Sequence, residues 1–396
     1  MYRQLSSENG NVAIIDGIRT PTGRLSGALS EYEATDLGRI CLEELEEHVD
    51  PQDVDEVILG SVIQAGQGQA PARQALLNAG WSPKIPAVTI NKVCGSGMKA
   101  ILQGTEAIRG GPVSQVIAGG MESMTNAPHL LADHRKGQKM GSSTLKDAAV
   151  YDGLWCSIET EHMGQPAERI AERYDLSRKE LDEFALRSHR LAAEAHEEGQ
   201  FESERIDLPE LKRDEPVRHD TDMEQLGSLQ PAFRENGVVT AGNAPGLNDG
   251  ACVLSVAAEK SAEAIAKRRN IKSIFAIEGY SVVGMEPGNL FESPAAAVEL
   301  LLESNHWTLD DFDRIEFNEA FASQVLGNCH RLELNPDRIN RRGGAVALGH
   351  PIGMSGSRIV LTLLDQLRES GEELGLAAIC MGGGNGIAIV IQQKEV

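Results

Sequence analysis

The chain has no run of apolar residues approaching the ~20 that a helix needs to cross a bilayer. Its opening, MYRQLSSENG, lacks both the apolar core of a secretory signal and the Arg-rich amphipathic pattern of a transit peptide. Cysteine is sparse: Cys41, Cys94, Cys156, Cys252, Cys329 and Cys380 are scattered over 396 residues with no Cys-x-x-Cys pair. That spacing fits neither a disulfide framework nor a zinc cage, and no His-Glu-x-x-His occurs. Positive charge is also short. Lys plus Arg number 37 against 59 Asp plus Glu, a net charge of −22, and such a surface repels nucleic acid and anionic membranes. The expectation is a cytoplasmic protein without a bound metal, with neither nucleic acid nor membrane as a partner, whose acidity serves solubility. An anionic substrate would need a local basic patch to overcome this field.

What is present is a globular composition, 41% hydrophobic, with 41 glycines, many of them clustered. The length predicts two or three domains. Through the first 125 residues, β-rich runs at 12–16, 56–59, 87–90 and 113–118 alternate with helical patterns at 35–47 and 96–108. This is the mark of an α/β fold built from βαβ units. In the second helix Met98, Ile101, Leu102 and Thr105 share one face. From about residue 126 to 250 charge rises, the helix expected at 178–199 is strongly polar, and an inserted, mostly surface-lying subdomain is predicted. The last third repeats the first. Asp53-Val-Asp-Glu-Val-Ile-Leu-Gly60 resembles Asp311-Phe-Asp-Arg-Ile-Glu-Phe-Asn318, and Val116-Ile-Ala-Gly-Gly120 resembles Ile379-Cys-Met-Gly-Gly383. A duplicated α/β unit accounts for this. The units are expected at 1–125 plus 251–276, at 277–396, and the insertion at 126–250. Cys94 and His350 then hold related places in two halves, where they could face one another.

Cys94 follows a strand closely and precedes a helix in Asn91-Lys-Val-Cys94-Gly-Ser-Gly97. The positive end of a helix macrodipole lowers a thiol pKa, and Gly95 and Gly97 would let a substrate approach the backbone. Taken alone, a free Cys is more often a small core residue. Gly95-Ser-Gly97-Met-Lys-Ala100 also matches a dinucleotide fingerprint with Glu122 downstream, but it lies outside the first βαβ unit and is a weak signal. His350 sits in Gly343-Gly-Ala-Val-Ala-Leu-Gly-His350-Pro-Ile-Gly-Met-Ser-Gly356, before a helix expected to bury Ile359, Val360, Leu363, Leu364 and Leu367. It could take a thiol proton and hold a thiolate–imidazolium pair, or simply pack at a turn. Cys380 opens Cys-Met-Gly-Gly-Gly-Asn-Gly386 between two strands, a turn whose N–H groups can receive an oxyanion; an inert buried Cys is the alternative. Asn318 either caps the next helix or uses its amide to hold a water or polarise a carbonyl.

Together with Gly119-Gly-Met-Glu-Ser-Met-Thr125, these segments resemble the thiolase family over essentially the whole chain, nearest its acetoacetyl-CoA branch. The resemblance implies two βαβαβαββ halves in five αβαβα layers, a loop subdomain that binds CoA, and a homo-oligomer, dimer or tetramer. It implies acyl-CoA and CoA as substrates, with coenzyme A or acetyl-CoA entering only as substrate and no tightly bound cofactor. Cys94 would carry the acyl group, His350 would activate it, and Cys380 would be the acid/base at carbon. Asn318, through a water, and His350 would form one oxyanion hole, and the N–H groups of Cys94 and Gly382 the other. His162, Met163, Phe233, Ala244, Ala320 and Phe321 match pantetheine-lining positions, and Arg218 a position near the CoA nucleotide, or else a solvated loop arginine. Pro245, Leu290-Phe-Glu-Ser-Pro294 and Arg342 depart from that branch. Competing readings are a broader-chain 3-ketoacyl-CoA thiolase, a decarboxylating ketoacyl synthase, which a second catalytic Cys opposes, and a non-catalytic acyl-CoA-binding relative.

Overall fold

The computed structural model describes residues 11–132 and 134–396. Its main sheet contains nine long or medium strands: β1 (Val12–Arg19), β2 (Glu56–Gly60), β3 (Ala87–Ile90), β4 (Gln115–Ser123), β5 (Asn248–Ala258), β6 (Ser273–Gly284), β7 (Arg314–Phe317), β8 (Leu374–Met381) and β9 (Asn385–Glu395). The two-residue strand Gly23–Arg24 pairs onto β5. The spatial order is β7-β8-β9-β6-β1-β5-β4-β2-β3. Read outward from the β1–β6 contact, the two halves follow the same path. β2 runs parallel to β4, β4 antiparallel to β5, and β5 antiparallel to β1. β7 runs parallel to β8, β8 antiparallel to β9, and β9 antiparallel to β6. Even the Ile58–Val88 pairing of β2 with β3 has a counterpart in the bridge between Ile315 and Ile339. The duplication expected from the sequence is therefore the architecture.

Alternation along the strands builds the layers. In β4, Val116 and Ala118 point into a central core, while Ile117 and Met121 point into an outer one that holds the helices Ala34–Leu45 and Pro71–Asn78. In β8, Ala377, Ile379 and Met381 point to the same central core, and Leu376 and Ala378 face the helices Ser293–Asn305 and Ala322–Leu332. The central core is filled by the helices Ser96–Gly110 and Ser355–Ser370. Helix, sheet, helix pair, sheet, helix is the five-layer order.

The central position explains two differences from the sequence expectation. Ser355–Ser370 is buried all round from Ser355 to Leu367, Arg358 and Asp365 included, rather than on one side, because protein covers both faces. And the glycines beside Cys94 do not open a path for substrate. A Cβ on Gly97 would lie 2.7 Å from the Ser357 nitrogen, and one on Gly356 would lie 2.6 Å from the Met98 nitrogen. Each central helix uses a glycine to admit the backbone of the other. A Cβ on Gly95 would strike Met381. Gly97→Ala is expected to destabilise the fold by about 1–3 kcal/mol through overpacking between the halves. Denaturant unfolding measures this, and a midpoint equal to that of the parent would contradict the packing argument.

Between β4 and β5 lie the helices Gly164–Arg173, Arg178–Glu197 and Met223–Ser228 and two short hairpins. The polar helix Arg178–Glu197 is less superficial than its charge implies. It starts on a Ser177–Glu180 capping box and buries Leu181, Phe184, Ala185, Ser188, His189, Ala192 and Ala195. Its glutamates and arginines occupy the other face, so composition alone conceals the buried stripe. Smaller boundary shifts occur too: β1 extends to Arg19 and β4 starts at Gln115.

Candidate active site

A cavity of about 270 Å³ opens where the N-termini of the two central helices meet. Cys94, His350, Cys380 and Gly382 all line it. So do six of the seven expected substrate contacts: His162, Met163, Phe233, Ala244, Ala320 and Phe321. Arg218 does not; it is exposed, and its backbone N–H donates to His189 Nδ1 at 3.2 Å. The departures Pro245, Leu290 and Phe291 also line the cavity.

Cys94 is presented by a strained turn. Val93 has φ of 49°, a left-handed conformation that a β-branched residue adopts only under constraint. The constraint is a local net of bonds. Val93 N–H donates to Asn91 Oδ1 at 2.9 Å, Lys92 N–H to Ser96 Oγ at 2.8 Å, and Ser96 Oγ to the Val93 carbonyl at 2.6 Å. Burial pushes the Cys94 thiol up to about 12, against the opposing pull of the backbone N–H groups of Cys94 and Gly382. The macrodipole expectation of a lowered pKa is thus reversed, because desolvation of the thiolate outweighs the helix end. The same N–H pair is nonetheless aimed at the sulfur.

His350 is held from both sides. Its backbone N–H donates to Asn248 Oδ1 at 2.9 Å, and its Nδ1 lies 2.5 Å from Ser355 Oγ. Ser355 Oγ donates its own proton to the Pro351 carbonyl at 2.8 Å, so on this bonding pattern Nδ1 carries the hydrogen and Nε2 is the free base. Asn318 Nδ2 lies 3.4 Å from Nε2. Burial, then the nearby Arg358 guanidinium, lowers His350 to about 3. Burial of both groups thus disfavours a standing thiolate–imidazolium pair in the free site.

Asn318 does not cap a helix, since the next one begins at Ala322 with Phe321 at its N-cap. Its position is fixed by Asn340, which accepts from Phe317 N–H at 2.8 Å and donates to the Phe317 carbonyl at 2.9 Å and Glu319 Oε1 at 2.8 Å. Asn318 Oδ1 is buried without a hydrogen-bond partner among the described residues. Cys380, at the end of β8, is 1% exposed, and its thiol is pushed well above the ordinary 9.0 by burial and then by Cys94. The turn that follows places Gly383 and Gly384 at φ of 78° and 82°, which glycine alone tolerates readily.

One wall is aromatic. His162 stacks on Phe233 at 4.9 Å, Phe233 meets Phe321 edge-on at 6.2 Å, and Phe321 meets Phe291 at 5.4 Å. Gly164 permits this, because a Cβ there would lie 2.2 Å from the Phe233 ring. Sequence reasoning missed Asn248, Ser355 and Asn340 as supports. Ser355 was in view within the His350 motif; Asn340 and Asn248 had no signal beyond being polar residues near strand ends. It also missed Arg24, whose strand pairs with Asn248 and whose neighbour Leu25 donates to the carbonyl of cavity-lining Leu247. Arg218, Arg24 and His219 all lie close enough to His189 to hold it near 4, after burial. Among the described residues no group of three His, Cys, Asp or Glu could hold a metal, and no helix is long and apolar enough to cross a membrane.

The thiolase N-terminal domain model matches residues 12–260 and the thiolase C-terminal domain model residues 271–393. A "Probable acetyl-CoA acyltransferase" of Staphylococcus aureus (strain COL) is 42% identical over 395 residues, covering 97% of this chain and 99% of that protein. An "Acetyl-CoA acetyltransferase" of Chromobacterium violaceum is 42% identical over 393 residues, covering 96% and 99%. The crystal structure of the Bacillus anthracis acetyl-CoA acetyltransferase superposes with a TM-score of 0.93 at 39% identity, covering 98% of this chain and 100% of that one. With the fold, the duplicated halves and the family match in agreement, this chain belongs to the thiolase family and is an acyltransferase.

Proposed function

We propose that this enzyme interconverts two acetyl-CoA with acetoacetyl-CoA and CoA through an S-acyl-Cys94 intermediate. The observation that carries the reading is the convergence of Cys94, His350, Cys380 and the Gly382 N–H on one cavity. Cys94 Sγ attacks the thioester carbonyl as its proton passes to His350 Nε2. The carbonyl oxygen takes the charge at the N–H groups of Cys94 and Gly382, and CoA leaves with a proton. With Cys94 masked as a thioester, Cys380 passes its own proton to His350 Nε2, which the departing CoA has left vacant, and the thiolate so formed takes a methyl proton from a second acetyl-CoA. The oxygen of the resulting enolate is received by the protonated His350 Nε2 and by a water on the unpartnered Asn318 carboxamide oxygen. The new carbon–carbon bond forms as the Cys94 sulfur–carbon bond breaks, and the freed sulfur takes its proton back from His350.

The aromatic wall of His162, Phe233 and Phe321 suits the thin pantetheine arm. Arg24 and Arg218, gathered near His189, supply positive charge for the CoA phosphates in a chain of net charge −22. The bulk of Met124, Leu290, Phe291 and Ile352 around the same cavity favours short acyl groups. Two measurements test the reading. Incubation with acetyl-CoA and digestion should yield an acetylated peptide containing Cys94; its absence sinks the covalent route and revives a binding-only protein. Thiolysis of acetoacetyl-CoA should be faster than that of a medium-chain 3-ketoacyl-CoA. The opposite preference would make this a broader-chain thiolase.

A further inference from the structure

We propose that Glu122 is a positioning residue for acyl transfer, a buried carboxylate that clasps the wall behind Cys94 to the loop carrying His350. The inference rests on the proposed pairing of Cys94 with His350. It does not rest on which acyl group they handle.

Glu122 lies on β4 and is fully buried. Its Oε2 accepts from Val62 N–H at 3.0 Å and from Gly353 N–H at 3.0 Å, and its Oε1 accepts from Ile63 N–H at 3.2 Å. These donors come from different halves of the duplicated fold. Val62 and Ile63 follow β2 in the first half. The Val62 carbonyl accepts from Asn91 Nδ2 at 3.2 Å, and Asn91 Oδ1 holds the N–H of the strained Val93, one residue before Cys94. Gly353 lies in the second half, three residues past His350. It sits in the turn where Met354 N–H and Ser355 N–H both bond the Pro351 carbonyl at 3.0 Å and where Ser355 Oγ fixes the imidazole. One carboxylate thus links the nucleophile turn and the base through a few bonds on each side.

The backbones it joins are in contact. A Cβ on Gly353 would lie 2.8 Å from Glu122 Oε2 and 2.7 Å from the Met121 carbonyl, and one on Gly120 would lie 1.9 Å from the Gly353 carbonyl. The neighbours Val62, Ile63 and Ile352 form one apolar cluster on which Val93 and Cys94 pack. A shift at the clasp would therefore reach the sulfur directly. A carboxylate is the group that can accept all three N–H donors. A carboxamide would turn an NH₂ against at least one of them, and an apolar residue would leave three buried donors unmet. Asp249, on the neighbouring strand, is engaged with Thr125 and Ser123 and does not share these donors.

Single-turnover acetylation of Cys94 by acetyl-CoA tests this, with rate constant and amplitude read separately. In Glu122→Gln and in Gly353→Ala, which wedges the same junction without removing charge, the rate constant should fall ~10- to 100-fold. The amplitude and the KM for acetoacetyl-CoA should hold, and Glu122→Asp should recover part of the rate. A merely structural residue would lower the amplitude, the share of competent enzyme, and leave the rate constant of the remainder alone. An unchanged rate constant in Glu122→Gln overturns the proposal. If that variant does not fold, Gly353→Ala decides in the same way. Failure of the parent enzyme to become acetylated would instead remove the Cys94 reading itself.

Discussion

Replacing Cys380 by Ser is expected to separate the two half-reactions, leaving Cys94 acetylated normally while carbon–carbon bond formation and thiolysis fall by ~10²- to 10⁴-fold, the ordinary worth of a general acid–base group. Cys380 is buried at the end of β8, and burial and then the nearby Cys94 raise its pKa. Two thiols lining one cavity cannot both be thiolates, because each charge opposes the other. They must act in turn. Cys94 loses its proton when it attacks, and Cys380 works only once Cys94 is neutral as a thioester. Serine keeps nearly the shape of Cys380, and with it the neighbouring turn that brings Gly382 N–H to the Cys94 sulfur. Its hydroxyl is far too weak an acid to cycle protons with an acetyl methyl group. The experiment compares trapped acetyl-Cys94 by mass spectrometry with the rate of acetoacetyl-CoA thiolysis. Loss of acylation to the same degree as thiolysis would place Cys380 in the first half-reaction and contradict this assignment.

The fold was legible where the chain repeats itself. Glu56–Gly60 and Arg314–Phe317 are alike because each must run parallel to a buried strand, β4 or β8, whose sequence is also alike. The candidate site was legible as residue types in order, and Cys94, His350 and Cys380 line one cavity. What was not legible was environment. Gly97 reads as freedom for a ligand, yet its missing side chain serves Ser357, 260 positions away in the sequence. Cys94 reads as an acidified thiol at a helix end, yet the protein packed over it reverses the sign. Arg342, a departure in the His350 motif, is a buried partner of Asp365 and Glu369 on the last central helix. Its bonds supply an occupation for that charge away from the cavity. Each of these properties depends on contacts made after folding, which local pattern does not contain.

The second large effect concerns the base. His350→Asn should slow acetylation of Cys94 on the order of 10⁴-fold, and the pH dependence should identify the cause. Asparagine can still donate toward Ser355 Oγ, so the loop has a local partner, but it offers no basic nitrogen at the place of Nε2. In the parent enzyme His350 is neutral above about 3, and Cys94 remains a thiol up to about 12. Neither group changes charge between about pH 6 and 9, so this pair contributes no inflection there, and attack draws the proton across as the bond forms. Without the imidazole, attack must use the rare preformed thiolate, whose share rises about tenfold per pH unit. The variant should therefore show a steep climb in acylation rate with pH where the parent is flat with respect to this pair. Stability gives an independent check. A histidine whose folded pKa lies near 3, below its ordinary 6.5, adds full stability above 6.5 and loses it as pH falls toward 3. Parent protein should thus lose stability faster than His350→Asn over that window. A variant whose acylation rate ignores pH, or a parent whose Cys94 thiolate absorbance already appears below the ordinary 9.0, would return the site to a preformed thiolate–imidazolium pair.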